Sequence, residues 1–331
     1  MKKISRRACM ALAAAGCLQC LAPWVHAADA PATTFPDKPV RLVMPFPAGG
    51  MGDVVARQIA LDLSKLWGQP VVVDNRAGAS GMIGNEFVAR SAPDGYTLLL
   101  GISQLVLAPS IYPKIPYDVQ KDFVPLVRVA DAMAVFITND PDIHSLKDYV
   151  ALAAKSPDKY SYGTYGAGSP AHIHSEIFNR NNKIKTVHIP YKGAAPLMTD
   201  LLAGHVTLSF SDLATPLPYI QSGKLRAYAV NGSRRAPLLP DVPTFEEQGY
   251  KGLDVLGWYG MFAPAKTPPA VVKKLRASLD QVLKAPELQA RLTALGLLPV
   301  TATPESFEQK VASDLVYWQK KVAENELRIE Q

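Results

Sequence analysis

The clearest pattern in the chain is an apolar run followed by a turn of small residues and then an amphipathic helix. Residues 40–44 are mostly apolar and residues 45–50 are rich in Pro and Gly. The same order returns at once in residues 71–73, 77–81 and 82–90. Two successive strand–loop–helix units predict a parallel α/β sheet with its functional loops at the carboxyl ends of the strands. The apolar positions at helical spacing in the first unit are Val54, Val55, Ile59, Leu63 and Leu66.

The turns between strand and helix suit an anionic ligand. Gly49 and Gly50 have no Cβ, so the backbone there can approach a ligand closely. The helix that follows presents unpaired N–H groups and the positive end of its dipole to whatever occupies the turn. The turn over residues 77–81 precedes a helix in the same way. We therefore expect both turns to lie at an anion-binding site.

The rest of the chain continues to alternate strand and helix patterns. Residues 109–116 contain three prolines and are predicted to be irregular. We interpret the whole as two α/β lobes, with residues 31–130 and 262–331 forming a discontinuous first lobe and residues 131–261 the second. A chain that crosses twice between the lobes makes a hinge there. Ligand sites are often found in the cleft between two lobes. Further strands are predicted near residues 95–101, 133–138, 160–162, 186–189, 206–210, 225–230 and 256–262, and helices over residues 145–154 and 194–203 among others.

The first 27 residues have the three-part pattern of a cleavable export peptide. Basic residues at positions 2, 3, 6 and 7 precede an apolar segment over residues 8–21, and Ala27 ends a small-residue cleavage signal. A lipoprotein box around Cys17 is the less favoured alternative, because Ala14 stands where a Leu is expected. This pattern predicts that the protein is exported to the periplasm and that the leader is cleaved.

Cysteine content and charge narrow the function classes. All three cysteines (Cys9, Cys17 and Cys20) lie in the leader, so the mature chain has no disulfide, zinc-thiolate site or cysteine nucleophile. The leader also carries four of the 35 Lys and Arg residues, which leaves 31 basic against 29 acidic residues and a net charge of +2. This balance does not indicate nucleic acid as a partner.

A further glycine-rich loop, residues 162–172, joins a predicted strand to a helix. It fits the relaxed dinucleotide fingerprint Gly-x-Gly-x-x-Ala, but the next strand lacks the acidic residue that would hold a ribose. The polar groups in this region, which could bind a ligand, belong to Thr164, Ser169, His172 and Asp212. The alternative to ligand binding is that Ser169 and Thr164 only cap the helix and close the turn.

The sequence does not favour an enzyme or a metal site. Ser80, Ser103 and Ser169 all lack the Gly-x-Ser-x-Gly frame of a serine hydrolase. His172 and His174 lie two residues apart on a predicted helix and so point to different faces. We therefore expect no cofactor and no metal.

Several ordered motifs resemble the Bug family, the TctC-like extracytoplasmic receptors of tripartite tricarboxylate transporters. Pro-Phe-x-x-Gly-Gly-x-x-Asp-x-x-Ala-Arg occupies residues 45–57, Gly-Gln-Pro-Val-Val-Val-Asp-Asn-Arg-x-Gly-Ala residues 68–79, and Ala-Pro-Asp-Gly-Tyr-Thr-Leu-Leu residues 92–99. The resemblance covers nearly the whole mature chain. Gly52 is a departure, because many relatives carry Ser or Thr there, and so is Pro170-Ala171, where longer polar side chains are common. The remaining motifs are residues 163–172, 190–193, 222–227, 258–260 and 263–264.

The resemblance implies a type II periplasmic-binding-protein fold, with a hinge between two Rossmann-like domains that close on a small mono-, di- or tricarboxylate. It implies delivery to the membrane permease subunits of a tripartite transporter by a monomeric receptor. A sensor kinase as a ligand-dependent partner and an exported α/β enzyme stay open as alternatives. We expect backbone N–H groups and hydroxyls to hold one carboxylate, with Arg76 either steering anions or salt-bridged. The expected ligand-binding residues are Phe46, Ala48, Gly49, Gly50, Ala79, Ser80, Gly81, Ser103, Thr164, Gly168, Ser169, Ala171, His172 and Asp212.

Overall fold

The computed structural model describes residues 35–327, so the predicted export peptide lies outside the described residues. Within that range no helix is both long and apolar enough to cross a bilayer. The strands are β1 Val40–Met44, β2 Val71–Asn75, β3 Thr97–Ile102, β4 Phe123–Ala132, β5 Ala134–Thr138, β6 Ser161–Thr164, β7 Val187–Pro190, β8 Leu208–Asp212, β9 Arg226–Val230, β10 Gly257–Pro264 and β11 Leu297–Pro299. The α-helices are α1 Met51–Trp67, α2 Met82–Ala89, α3 Gln104–Ile111, α4 Leu146–Lys155, α5 Pro170–Asn181, α6 Ala194–Ala203, α7 Leu217–Gln221, α8 Pro269–Leu283, α9 Pro286–Ala294 and α10 Pro304–Glu324, and Ala79–Gly81 form a short 3-10 turn.

The strands form two separate sheets. The first sheet has the order β11-β4-β10-β3-β1-β2, and the second has the order β7-β6-β8-β5-β9. The chain passes from the first sheet to the second between Ala132, at the end of β4, and Ala134, at the start of β5. It returns to the first sheet in β10, so the first sheet is built from two separate parts of the chain. The predicted α/β class is confirmed, whereas the lobe boundaries stay a prediction.

Both sheets are mixed, and the expectation of a parallel sheet is wrong in this respect. β1 pairs in parallel with β2 and β3, as the repeated units predict. β10, however, is antiparallel to β3 and to β4, and pairs with β4 from Gly257 opposite Ala132 to Pro264 opposite Phe123. The cause is the double crossing: β4 leaves for the second sheet and β10 comes back beside it, so the two neighbours must run in opposite directions.

The prediction of irregular structure over residues 109–116 is wrong for residues 109–111, which end helix α3, whereas residues 112–116 lie outside the helices and strands. Residues 104–111 form helix α3 despite Pro109, because most of its side chains, including Leu105 and Leu107, are buried. Their burial offsets the roughly 3 kcal/mol that a proline inside a helix costs. Strand β4 also contains a proline, Pro125, which lies at the register shift between Met261 and Phe262 of β10. An irregular ladder position tolerates the missing N–H.

Two groups of aromatic rings lie in the hydrophobic core. Phe136, Tyr149 and Phe178 pack together under the second sheet, with Tyr149 and Phe178 stacked at 6.1 Å between ring centroids. Trp258 and Phe307 pack edge to face under the first sheet at 5.3 Å. Burying large aromatic rings stabilises each sheet against its helices.

Candidate functional site

A cavity of about 390 Å³ is lined by loops from both sheets. The first sheet contributes residues 46–50 after β1 and residues 257–259 at the start of β10. The second sheet contributes residues 192–196 and Asp212 at the end of β8. The cavity wall as a whole is mainly apolar. Its larger side chains are Met44, Phe46, Met51, Ile102, Met133, Tyr165, Trp258 and Tyr259. A cavity of this kind suits a small ligand with a carbon skeleton and few polar ends.

Helix α1 begins at the cavity wall without a side-chain cap. Gly50 is its N-cap residue, has an extended backbone (φ −78°, ψ 168°) and supplies no capping side chain. The first bond inside the helix runs from the Val54 N–H to the Gly50 carbonyl, at 3.1 Å. The N–H groups of the first turn therefore stay available to a ligand, together with the positive end of a 17-residue helix.

A buried carboxylate fixes the loop in front of α1. Asp53 Oδ2 accepts hydrogen bonds from the Gly49 N–H (3.0 Å) and from Arg57 Nε (3.0 Å). Asn75 Nδ2 in turn donates to the Phe46 carbonyl at 3.1 Å. Burial alone raises the pKa of Asp53, but the hydrogen bonds from Arg57, Gly49 and Asn75 outweigh it and hold the pKa below its usual value. The loop before α1 is thus held in place by the Asp53 carboxylate, whose charge is paired with Arg57.

The fourteen residues expected to bind the ligand divide into two equal groups. Seven of them line the cavity: Phe46, Ala48, Gly49, Gly50, Ser103, Ala171 and Asp212. The other seven lie outside its wall: Ala79, Ser80, Gly81, Thr164, Gly168, Ser169 and His172. Whether any of the fourteen contacts a ligand stays a prediction.

Ser80 belongs to a contact between loops of the two sheets. Ser80 Oγ donates to the Ala167 carbonyl at 3.0 Å. The Tyr112 hydroxyl lies 2.9 Å from the same carbonyl and 3.0 Å from Ser80 Oγ. We call these three residues the loop clasp. It joins the turn after β2 to the glycine-rich loop after β6.

The hydroxyls of the second glycine-rich loop bond within the protein. Ser169 Oγ accepts a hydrogen bond from the His172 N–H at 3.3 Å. Ser169 therefore caps α5, as the sequence predicts under the capping alternative. His172 Nδ1 accepts from the Gly168 N–H at 3.1 Å, and its ring stacks on His188 with centroids 3.9 Å apart. Thr164 Oγ1 lies 2.8 Å from His188 Nε2. Burial lowers the pKa of His172 to about 4, and burial followed by the effect of His172 lowers the pKa of His188 to about 3.

Arg76 also lies outside the wall. Its Nε is 2.8 Å from Asp74 Oδ2, and its guanidinium lies over the Phe87 ring at 3.6 Å. Its charge is thus engaged in an ion pair and a cation–π contact.

Sequence reasoning missed several polar residues of the wall. Lys192 is exposed and is the only Lys or Arg that lines the cavity among residues 35–327. Asn231 joins the two crossings, because its Oδ1 accepts from the Ala134 N–H (2.7 Å) and its Nδ2 donates to the Val255 carbonyl (2.8 Å). His174 is buried and also reaches the wall. Lys192 lies in one of the motifs that carried the resemblance, whereas Asn231 and His174 reach the site only through the fold.

Asp212 faces the cavity from the end of β8. Its Oδ1 accepts from the N–H and the hydroxyl of Thr215, both at 3.1 Å. Burial raises the pKa of Asp212 despite these bonds. A second negative charge placed beside this group would be unfavourable.

Comparison with known proteins identifies the family. The profile described as "Tripartite tricarboxylate transporter family receptor" (TctC) matches residues 55–327. The chain belongs to this family. It is 38% identical to the protein BugT of Bordetella pertussis over 295 residues, which make up 88% of this chain and 90% of BugT.

Solved structures agree with this membership. A protein from R. palustris, solved with adipate, is 30% identical, with a TM-score of 0.85 over 89% of this chain and 100% of that chain. MatC from Rhodopseudomonas palustris, solved with bound malate, is 32% identical, with a TM-score of 0.81 over 87% of this chain and 100% of that chain. The predicted family and two-lobed fold are thereby confirmed, and the chain is a periplasmic solute-binding receptor of the TctC/Bug type.

Proposed function

We propose that this receptor captures a small organic carboxylate in the cavity and delivers it to the membrane subunits of a tripartite tricarboxylate-type transporter. The observation that carries the proposal is the uncapped start of α1, which opens onto the cavity at Gly50. Free N–H groups and the helix dipole together favour an anion there.

The rest of the wall supports a carboxylate ligand with an apolar carbon skeleton. Met44, Met133 and Trp258 offer apolar surface, and each CH₂ group buried against such surface contributes about 0.8 kcal/mol. Lys192 offers one positive charge at an exposed position, while Asp212 opposes additional negative charge.

The solved relatives support the ligand class. One of them holds adipate and the other holds malate, and both ligands are small carboxylates. The family description supports delivery to a tripartite transporter. Delivery in the periplasm also requires export, for which the leader pattern supplies the signal.

The first experiment is titration calorimetry on the purified mature chain with malate, adipate and a wider panel of carboxylates. We expect saturable binding of at least one acid, and NMR of the ligand should show it unchanged after release. Failure of every acid on the panel to bind would overturn carboxylate capture. Consumption of the ligand would instead favour an enzyme.

The second experiment tests delivery in cells. Uptake of the acid identified by calorimetry should be lost on deletion of the receptor and equally on deletion of the permease subunits. Unchanged uptake without the permease would contradict delivery to a tripartite transporter and leave ligand binding intact.

A further inference from the structure

The side chain of Met44 occupies the space beside the first turn of α1. Met44 is the last residue of β1, and Gly52 is the second residue of α1. Both residues line the cavity, and both are buried. A Cβ added to Gly52 would overlap the methyl group of Met44 and would lie 2.9 Å from its Sδ. The end of the Met44 side chain therefore lies against Gly52 and fills the place that a larger residue at that position would take.

Tyr259 completes this corner of the cavity. Its Cε1 would lie 3.7 Å from the same added Cβ, and Tyr259 also lines the cavity. Tyr259 is held by its pairing with Ile102 in the first sheet. Met44, in contrast, has an unbranched side chain with three rotatable bonds. We call Met44, Gly52 and Tyr259 the methionine corner, and Met44 is its adaptable member.

The methionine corner adjoins the position proposed for the ligand's carboxylate. The N–H groups left free at the start of α1 belong to its first turn, which includes Gly52. In a carboxylic acid the α-carbon is bonded directly to the carboxylate carbon. A carboxylate received by this turn therefore places its α-carbon, with any substituent on it, next to the methionine corner. The corner offers apolar contact to a CH₂ group, but Met44 already fills the space that a branch would occupy.

We propose that Met44 and Gly52 determine specificity by setting the width of the cavity next to the carboxylate, so that the receptor selects acids that are unbranched at the α-carbon over acids with a branch there. This inference rests on the proposed function, since it requires a carboxylate at the start of α1. It concerns the shape of the carbon skeleton and not the polar groups at the other end of the ligand.

The competing explanation gives Met44 a role in packing alone. In that explanation its side chain only fills space between β1 and α1. Truncation would then lower the stability of the protein, because it leaves a cavity in the core. It would change the affinities of branched and unbranched acids by the same factor.

The experiment compares isomeric acids that differ only in where they branch. 2,5-Dimethyladipate carries a methyl group next to each carboxylate, whereas 3,4-dimethyladipate carries both methyl groups in the middle of the chain, so either end of each molecule poses the same test. 2-Methylhexanoate and 4-methylhexanoate form a second pair with a single carboxylate. We expect calorimetry on the mature receptor to show about tenfold or tighter binding of the acid branched away from its carboxylate, because one misplaced methyl group in a fitted site costs at least about that much.

Substitutions of Met44 test its part in this preference. Met44→Ala empties the corner and should reduce the preference to about twofold or less, mainly by tightening the binding of the α-branched acid. Met44→Leu keeps most of the apolar bulk and should keep most of the preference. Met198→Ala truncates a buried methionine outside the cavity wall and should leave the preference unchanged. Thermal unfolding without ligand shows whether each variant is folded, and Met44→Val, which removes less of the core, replaces Met44→Ala if that variant does not fold.

Substitution of Gly52 tests the same contact from the other side. Gly52→Ala displaces the methyl group of Met44, and the flexible side chain then moves into the cavity that it lines. We expect the affinity for adipate to fall about tenfold. Adding Met44→Ala should restore most of this affinity, because the new Cβ then has no methionine to displace. Gly166→Ala is the matched control, since a Cβ there meets nothing within 4 Å and lies outside the cavity wall.

The possible results separate the inference from the proposed function. Equal binding of the isomers by the wild type, or an unchanged preference in Met44→Ala, would overturn the inference and leave Met44 a packing residue. Additive losses from Gly52→Ala and Met44→Ala would also overturn it, because residues that act through one contact are not additive. If folded wild-type protein bound none of these acids, nor adipate and hexanoate themselves, the result would count against the proposed function.

Discussion

At the scale of the residue, Gly50 decides whether α1 bonds to itself or to a ligand. Serine is a preferred N-cap residue, and its hydroxyl accepts from the second or third N–H of the helix. The extended backbone of Gly50 already matches that geometry. We predict that Gly50→Ser raises the free energy of unfolding without ligand by a few tenths of a kcal/mol, at roughly the Gly-to-Ser capping difference. The same variant should weaken carboxylate binding about tenfold, because the hydroxyl competes for the same donors.

The matched control is Gly50→Ala, which adds a Cβ but no acceptor. A Cβ at Gly50 would meet only the Pro47 carbonyl, at 3.6 Å, which is ordinary contact. Gly49 is less suitable, because its φ of +83° strains any side chain there. Stability is read by thermal unfolding and affinity by calorimetry. Stronger or unchanged binding in Gly50→Ser would show that the carboxylate lies elsewhere.

Asp53 gives the loop before α1 a pH dependence of known sign. Its pKa is held below the usual value in the fold, so its stabilising contribution is present at neutral pH and is lost as the pH falls through that lowered value. We predict that Asp53→Asn lowers the free energy of unfolding by about 1–3 kcal/mol at neutral pH, since hydrogen bonds to a charged group are lost. Denaturant titrations across pH should show the two proteins converging in acid. A constant difference at all pH values would contradict the ionised network.

At the scale of the element, the start of α5 differs from the start of α1. Ser169 caps α5 through the His172 N–H, and neither residue lies in the cavity wall. We predict that Ser169→Ala lowers the free energy of unfolding by about 1 kcal/mol, the usual loss of an N-cap. Affinity for the carboxylate should change much less than in Gly50→Ser. Ser145→Ala, which removes the cap of α4, serves as the matched control. A large loss of affinity in Ser169→Ala alone would instead support the expectation that Ser169 binds the ligand.

Some of the helices and strands could be predicted from the sequence pattern and others could not. α1 and α2 form where apolar spacing and small-residue turns predicted them, because both signals are local. The sequence pattern does not predict α3, because Pro109 is tolerated there only through tertiary burial. It also misses residues 123–128 of β4, where Pro125 lies at an irregular ladder position. Local signals also pointed to Gly49 and Gly50, which line the cavity. His174 and Asn231 lie there because α5 and the two crossings bring distant segments together, which no local pattern records.

At the scale of the whole molecule, the chain crossings and the loop clasp are two places where the parts of the protein that carry the two sheets meet. β4 and β10 run side by side where the chain crosses, and Asn231 bonds to backbone on both crossings through Ala134 and Val255. The loop clasp connects the sheets a second time, between the loops that bear Ser80 and Ala167. We therefore expect the two sheets to separate by rotation about the crossings when the loop clasp breaks.

The last prediction concerns this clasp. In Ser80→Ala with Tyr112→Phe, the Ala167 carbonyl loses both hydroxyl partners. We predict that the unliganded double variant has a larger radius of gyration than the wild type by small-angle scattering, while the two proteins coincide when saturated with ligand. Its affinity should fall several-fold, because ligand then has to close a larger open population. Tyr228→Phe is the control, since it removes a hydroxyl bond to the Ile143 carbonyl of the chain between β5 and α4. Equal radii for all three proteins, with and without ligand, would show that the clasp does not hold the sheets together and that closure does not accompany binding.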